Sequence, residues 1–379
     1  MTNAVIVGYA RSPFAPANKG QLIKVRSDDM TAQVVNALVK RVGVKPADIE
    51  DLLLGCSFPE GEQGLNLARL IVLHAGLPDC VAGATINRFC GSSMQSVHTA
   101  VGAIACGAGD LFICAGVESM TRVPMGGFNP MPNPTLYANR PGAYMSMGET
   151  AENVARRYNI SRQAQEAFAV ESHKKAAAAQ EAGKLKDEII PISRNDEIVA
   201  EADGCIRPGT TLEGLAGLSP AFEEGGSVTA GTSSPLTDGA SVVLVCSEAY
   251  AKANGLKPLA RVKSFAVAGC DPEVMGIGPV EATRKAAARA GIKVEDIDII
   301  ELNEAFASQS IACIQDLKLD EKKINLDGGA IALGHPLGAT GARIVGKAAS
   351  LLQREGKKYA LATQCIGGGQ GIATILEAM

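Results

Sequence analysis

The chain has 379 residues, room for two or three globular units, and its 46% hydrophobic and 20% charged composition with mean hydropathy +0.11 excludes a largely disordered protein. With 36 Lys+Arg against 40 Asp+Glu the net charge is −4 and no long single-sign run occurs, so no nucleic-acid partner is expected. No apolar stretch reaches the ~18 residues that span a bilayer, and the opening MTNAVIVGYARSPF reads as a strand without a signal peptide's charged head, so no membrane association and a cytoplasmic location are expected.

Ten cysteines are scattered without a CxxC pair, as suits free thiols in a reducing compartment. No Trp, nine Phe and six Tyr against 42 Gly predict a core of small aliphatic residues and many tight turns.

In chain order, the first strand leads to a helix for which Ser27 is the expected cap, with Asp28 and Asp29 in its first turn and Met30, Val34, Val35, Leu38 and Val39 on one face. The segment ATINRFCGSSMQSVHTAVGAI then runs from a strand end into an apolar helix, and LFICAGV from Leu111 is a buried strand. A stretch of different character follows, about Thr121 to Leu236. It begins with the turn-rich MGGFNPMPNPTLYANRPG and holds one long helix from about Ser161 to Ala182, ended by Gly183. Its 11 Lys+Arg against 14 Asp+Glu give no broad positive field, so an anionic ligand there would need a few placed residues. Further on come the strand DIIELNEAFA, the glycine-rich turn DGGAIALGHPLGATGAR, and the strand YALATQC entering CIGGGQG.

The chain repeats itself. VGVKPADIEDLLL from Val42 resembles AGIKVEDIDIIEL from Ala290 at a displacement of 248 residues, which also sets Leu111–Val117 opposite Tyr359–Cys365. Alternating helices and strands predict two α/β halves with mostly parallel sheet, arranged as a pseudo-dimer, with the 121–236 stretch as an inserted lid.

Cys90 stands at a strand-to-helix junction, where unpaired amides and the helix dipole favour a thiolate, and Gly91, Ser92 and Ser93 leave room for a substrate. It is the expected nucleophile, against the alternative of a packed thiol. Of four histidines, His74, His98 and His173 read as structural or solvated. His335 lies in a turn built by Gly334, Pro336, Gly338 and Gly341, which suits a catalytic base. Such a turn could also cradle phosphate, although the GxxxxGK[ST] spacing is absent. The repeat places Gly338 where the first half has Cys90, so the two turns should face each other. Cys365 would then share their pocket beside the bare amides of CIGGGQG; without His335 nearby it reads as a strand-end core thiol. Asn303 and Glu304 follow buried strand residues and fit a structural turn as well as the orientation of a water or carbonyl.

These residues resemble the thiolase family. The matching blocks are NRFCGSSMQ around Cys90, GVESMTRVPMG from Gly116, MGETAENVA from Met147, TAGTSSPLTDGA from Thr229, MGIGPVEA from Met275, NEAFA from Asn303, GGAIALGHPLGATGAR from Gly328 and CIGGGQG from Cys365, in order along nearly the whole chain. The resemblance implies a five-layered α/β/α/β/α pseudo-dimer: residues 1–120 with about 237–258 form one half, 121–236 an inserted loop domain over CoA, and 259–379 the other half. It implies cleavage of 3-ketoacyl-CoA by CoA, or the reverse Claisen condensation, with CoA as substrate and no metal or prosthetic group. It implies an acyl group carried on Cys90, His335 as its base, and proton transfer by Cys365. One oxyanion hole would come from His335 with a water held by Asn303, the other from the N–H groups of Cys90 and Gly367. The pantetheine arm would pass Met147, Phe222, Ser234 and Phe306, with Arg207 near the nucleotide. A homodimer or homotetramer is implied, possible company being other β-oxidation enzymes.

Short-chain biosynthetic members carry His where this chain has Ser146, and TSSPLTDGA is closer to degradative members. A 3-ketoacyl-CoA thiolase is therefore expected ahead of an acetyl-CoA acetyltransferase making acetoacetyl-CoA. A β-ketoacyl synthase shares a GHxLGAAG-like block but uses a further histidine in place of Asn303 and has no counterpart of Cys365. A non-catalytic acyl-CoA carrier would be expected to lose the catalytic residues, and all four are present.

Overall fold

The computed structural model describes residues 3–379. The first part of the chain forms β1 (Ala4–Arg11), β2 (Ala15–Pro16), α1 (Ser27–Val42), β3 (Asp51–Gly55), α2 (Leu67–His74), β4 (Ala82–Ile86), α3 (Ser92–Ala105) and β5 (Leu111–Ser119). The intervening stretch carries α4 (Pro134–Asn139), α5 (Met147–Arg157), α6 (Arg162–Glu181), the hairpin β6 (Ile192–Arg194) and β7 (Glu197–Ala200), and α7 (Leu212–Ala216). There follow β8 (Thr237–Ser247), α8 (Glu248–Ala253), β9 (Ala260–Gly269), α9 (Gly278–Ala290), β10 (Ile299–Leu302) and α10 (Ala307–Leu317). The chain closes with α11 (Ala330–Leu333), α12 (Leu337–Glu355), β11 (Tyr359–Ile366) and β12 (Gln370–Glu377).

The strands run β10-β11-β12-β9-β1-β8-β5-β3-β4, with β2 attached to β8. The first half ends at β1 and the second begins at β9; these two meet through only Val5↔Arg261 and Ile6↔Ala260. Alternate strand residues serve different cores, because successive side chains leave opposite faces. Val5 and Ile113 pack with α1 and α2 on one outside, whereas Ile6, Phe112 and Cys114 pack inward on α3 and α12. From the other half, Ala360 and Ala362 join that central core and Leu361 packs outward on α9 and α10. Helices outside, sheet, paired central helices, sheet, and helices outside give five layers, as the family resemblance implies.

The repeat is visible in detail. Gly43 and Gly291 end α1 and α9 in the same left-handed conformation, φ +77° and +69°, and each is followed by a short 3-10 turn and a strand. Two expectations need correction. Ser27 does not cap α1: Arg26 holds the cap position with no side-chain bond, and Ser27 is the first helical residue, its hydroxyl turned to Gln63 Oε1 at 3.1 Å. Nor is the sheet mostly parallel. Among the described strands only the pairs β3–β4, β3–β5 and β10–β11 run parallel. β8 returns antiparallel between β5 and β1, and β12 folds back on β11 through Gly368 and Gly369, both at positive φ.

α12 is buried on nearly every side from Leu337 to Leu352, and small residues let its neighbours close in. A Cβ on Gly341 would lie 2.3 Å from the backbone N of Met94 in α3, one on Gly338 2.5 Å from Val117 O, and one on Gly346 2.2 Å from the Tyr9 ring. A buried ion network ties the intervening stretch to both halves. Arg11 pairs with Glu188 at 2.8 Å and Asp203 at 2.6 Å, while Lys347 pairs with Glu188 at 2.9 Å and Asp327 at 2.6 Å. Arg354 also pairs with Asp327 at 2.6 Å, so three cations meet three carboxylates, and removal of one partner strands another in low dielectric.

Gly341→Val should therefore destabilise the chain by ~1–3 kcal/mol or more through overpacking. Gly102→Ala, inside α3 with open space around it, should stabilise by up to ~1 kcal/mol. Denaturant midpoints of the two variants should move in opposite directions.

Candidate active site

Two turns carried by the central helices meet in a cavity of about 190 Å³. One is the Asn87–Gly91 turn before α3. Phe89 sits there at φ +42°, a left-handed conformation that strains a non-glycine residue. Side chains hold it: Asn87 Oδ1 accepts from Phe89 N at 2.8 Å, and Ser92 Oγ accepts from Arg88 N at 2.9 Å while donating to Phe89 O at 2.6 Å. Cys90 follows, facing the cavity. The second turn, Gly334–Pro336, precedes α12 and presents His335, whose backbone N–H donates to Thr237 Oγ1 at 3.0 Å. Cys365, at the end of β11, lines the same cavity, so the two sulfurs and the imidazole share it across the two halves.

Asn303 and Glu304 part company, as successive residues leaving a strand do. Asn303 Nδ2 lies 3.4 Å from His335 Nε2, with Oδ1 buried and unpartnered. Glu304 turns away and accepts from Ser172 Oγ at 2.6 Å, Asn325 Nδ2 at 2.7 Å and Ile331 N at 3.2 Å, a structural tie. The N–H groups of Gly367 and of Cys90 itself are aimed at the Cys90 sulfur. Met147, Phe222, Ser234 and Phe306 line the cavity, with Phe222 edge-on to Phe306 at 5.8 Å between centroids. A Cβ on Gly148 would meet the Phe222 ring at 2.1 Å, so that glycine makes room for it. Arg207 is not in the wall; its side chain is exposed and its N–H donates to His173 Nδ1 at 3.2 Å. His98 bonds Thr374 and stacks on Phe265, and His74 bonds Asp29, away from the cavity. Among the described residues no group of three or more His, Cys, Asp or Glu is arranged to hold a metal ion.

Electrostatics overturn one expectation. Burial pushes the Cys90 thiol up to about 12, more than the two aimed N–H groups can offset, with the nearby Glu118 charge adding to the rise. Gly91, not Cys90, is the N-cap, so the nucleophile stands one position outside the helix. Burial, helped by Arg343, lowers His335 to about 3. Both shifts favour the uncharged forms, thiol and imidazole. Cys365 is also held well above a thiol's ordinary value, by burial and then by Cys90.

Three side chains that the sequence reading missed build the site. Glu118, fully buried, accepts from the N–H groups of Ser57 at 2.9 Å, Phe58 at 3.2 Å and Gly338 at 2.9 Å, and from Gln63 Nε2 at 3.0 Å, joining the first half to the start of α12. Gln364 donates across the halves to the Cys90 carbonyl. Glu152 accepts from Ser227 N and Val228 N, pinning the loop before Ser234 to α5. GVES around Glu118 did stand out as a block; Gln364 and Glu152 leave no local signal.

Alkylation of Cys90 in the free protein, followed by peptide mapping to separate it from the exposed Cys80 and Cys106, should accelerate about tenfold per pH unit from pH 6 to 9 without a plateau. The sign follows from a thiol pKa above that range, where the thiolate fraction grows with each proton removed. A rate independent of pH would mean a thiolate–imidazolium pair at rest.

Models of known families and known relatives agree with this arrangement. A model described as "Thiolase, N-terminal domain" matches residues 4–249, and one described as "Thiolase, C-terminal domain" matches residues 256–378. The chain is 47% identical to a 3-ketoacyl-CoA thiolase of Bacillus subtilis and 49% identical to one of Shewanella frigidimarina, each match covering 100% of both chains. A crystal structure of the Bacillus anthracis acetyl-CoA acetyltransferase superposes with a TM-score of 0.92 at 39% identity, and one of human mitochondrial 3-ketoacyl-CoA thiolase with a TM-score of 0.92 at 36%. Each covers 100% of this chain and 99% of the other. Matched from end to end, the chain belongs to the thiolase family.

Proposed function

We propose that the chain is a 3-ketoacyl-CoA thiolase, an acyltransferase that uses CoA to cleave a 3-ketoacyl-CoA into acetyl-CoA and a shortened acyl-CoA, reversibly. The observation that carries this reading is the meeting of Cys90, His335 and Cys365 in one apolar cavity supplied by both halves. The names of relatives 47% and 49% identical over the full chain support it. Ser146, small and engaged in capping α5, favours the degradative direction over a dedicated acetoacetyl-CoA synthesis.

In the cleavage direction His335 Nε2 takes the Cys90 proton as the sulfur attacks the 3-keto carbon. The charge that develops on the 3-keto oxygen is met by the N–H groups of Cys90 and Gly367. Collapse breaks the carbon–carbon bond, leaving the acyl group on Cys90 and an acetyl-CoA enolate whose oxygen is met by the new Nε2–H and a water held by Asn303 and whose carbon takes its proton from Cys365. A Cys365 thiol kept protonated by its surroundings suits a general acid. The incoming CoA thiol then gives its proton to the Cys365 thiolate and attacks the acyl carbonyl. The Cys90 and Gly367 N–H groups hold the same oxygen again in this second tetrahedral intermediate, each such donor worth ~2.7–4 kcal/mol. The leaving Cys90 sulfur recovers the proton from His335. CoA enters as a substrate, and the scheme needs no prosthetic group. Pantetheine runs past Met147, Phe222, Ser234 and Phe306, with Arg207 outside at the nucleotide end. Residues 1–120 with about 237–258, 121–236 and 259–379 act as first half, lid and second half of a cytoplasmic homodimer or homotetramer working beside other β-oxidation enzymes.

A panel of 3-ketoacyl-CoA substrates, read by loss of enolate absorbance, tests the function. Thiolysis of both acetoacetyl-CoA and 3-ketooctanoyl-CoA is expected, and activity confined to the former would turn the assignment toward an acetyl-CoA acetyltransferase. Cys90→Ala should abolish acyl transfer. Cys365→Ser should still accept an acyl group from an activated donor but fail at carbon–carbon cleavage; equal loss of both half-reactions would contradict the division of roles.

A further inference from the structure

A histidine acts as a base only through a ring nitrogen that carries no proton, so the position of the single proton of neutral His335 decides whether it can serve. His335 Nδ1 lies 2.6 Å from the hydroxyl oxygen of Thr340, one turn into α12. That hydroxyl also donates to the Pro336 carbonyl at 3.0 Å, the usual bond of a helical threonine four residues back. A hydroxyl has one proton and two lone pairs, so with the proton directed to Pro336 it meets Nδ1 as an acceptor. Nδ1 must then carry the hydrogen. The other side of the ring is compatible with this. Asn303 places its amide nitrogen 3.4 Å from Nε2, an orientation in which a bare Nε2 accepts. Thr340 is 1% exposed and His335 4% exposed, so bulk water is not there to substitute for either partner. The Thr237 bond to the His335 backbone keeps the turn in register with this arrangement.

We propose that Thr340 is a positioning residue: its hydroxyl keeps the His335 proton on Nδ1, leaving Nε2 bare toward the cavity as the base for Cys90. The proposal rests on His335 being that base. It also explains why the turn continues directly into a helix, since the first turn of α12 brings residue 340 back under the ring. Without the hydroxyl, the buried Nδ1–H loses its acceptor. The proton then favours Nε2, where Asn303 can receive it by turning its unpartnered Oδ1 inward. That alternative removes the base and the water-holding amide together.

Neutron diffraction from deuterated crystals of the unaltered protein reads the proton directly, without reference to turnover; deuterium on Nδ1 is expected, and deuterium on Nε2 alone would overturn the proposal. In parallel, isosteric Thr340→Val should lower kcat for thiolysis about 10²-fold with KM changed less than about twofold, while Thr340→Ser should stay within about threefold of the parent. A Val variant of undiminished kcat, or a Ser variant as impaired as Val, would also overturn it. If the unaltered protein cleaved no 3-ketoacyl-CoA, the functional reading would fail by itself, and the deuterium position would still decide the role of Thr340.

Discussion

The near-contact of the two central helices is the constraint from which the rest follows. α12 closes on α3 at Gly341 against Met94, and on β5 at Gly338 against Val117 and at Gly116 against Gly338 O, until there is no space for side chains. Glycine at these positions is a steric requirement, because backbone atoms and not flexible side-chain ends occupy the space. The gain is positional: each helix begins with a turn that carries one reactive side chain, and closing the helices brings the turns together. Glu118 reinforces the join, since a carboxylate accepting from Gly338 N also lies at the positive end of α12. The duplication makes this economical, as one copy of the helix start supplies a sulfur and the other, a few residues earlier, an imidazole.

Burial sets the charge state of that meeting point. Burial disfavours the charged form of both Cys90 and His335, since neither is given enough polar compensation to ionise alone. Reaction then has to move a proton within the pair as charge develops on a substrate oxygen, where donors stand ready. A site organised this way keeps its sulfur in the less oxidisable form between turnovers.

Much of this was legible in the sequence for reasons that can be named. The α1 face, the Gly183 stop after the long helix, and the 248-residue repeat are local patterns, and periodicity or composition reports them. The repeat alone was enough to set the Cys90 and His335 turns face to face. What escaped was long-range. Ser27 had a cap's chemistry but found Gln63 instead, and the direction of β8 depends on where the chain returns after residue 236. Gln364, Glu152 and Thr340 are ordinary polar residues until folding places Cys90, Val228 or His335 beside them. The Cys90 titration was misjudged because helix amides are visible in a sequence while depth of burial is not.

The place of β8 has a consequence for how the protein is made. β8 fills the gap between β1 and β5, yet it emerges from the ribosome only after the whole 120–236 stretch. Until then the nascent first half exposes two open strand edges and the apolar underside of its sheet, a surface prone to pairing with other chains. Biosynthesis therefore passes through a long interval in which native stability does not yet protect the growing polypeptide from aggregation.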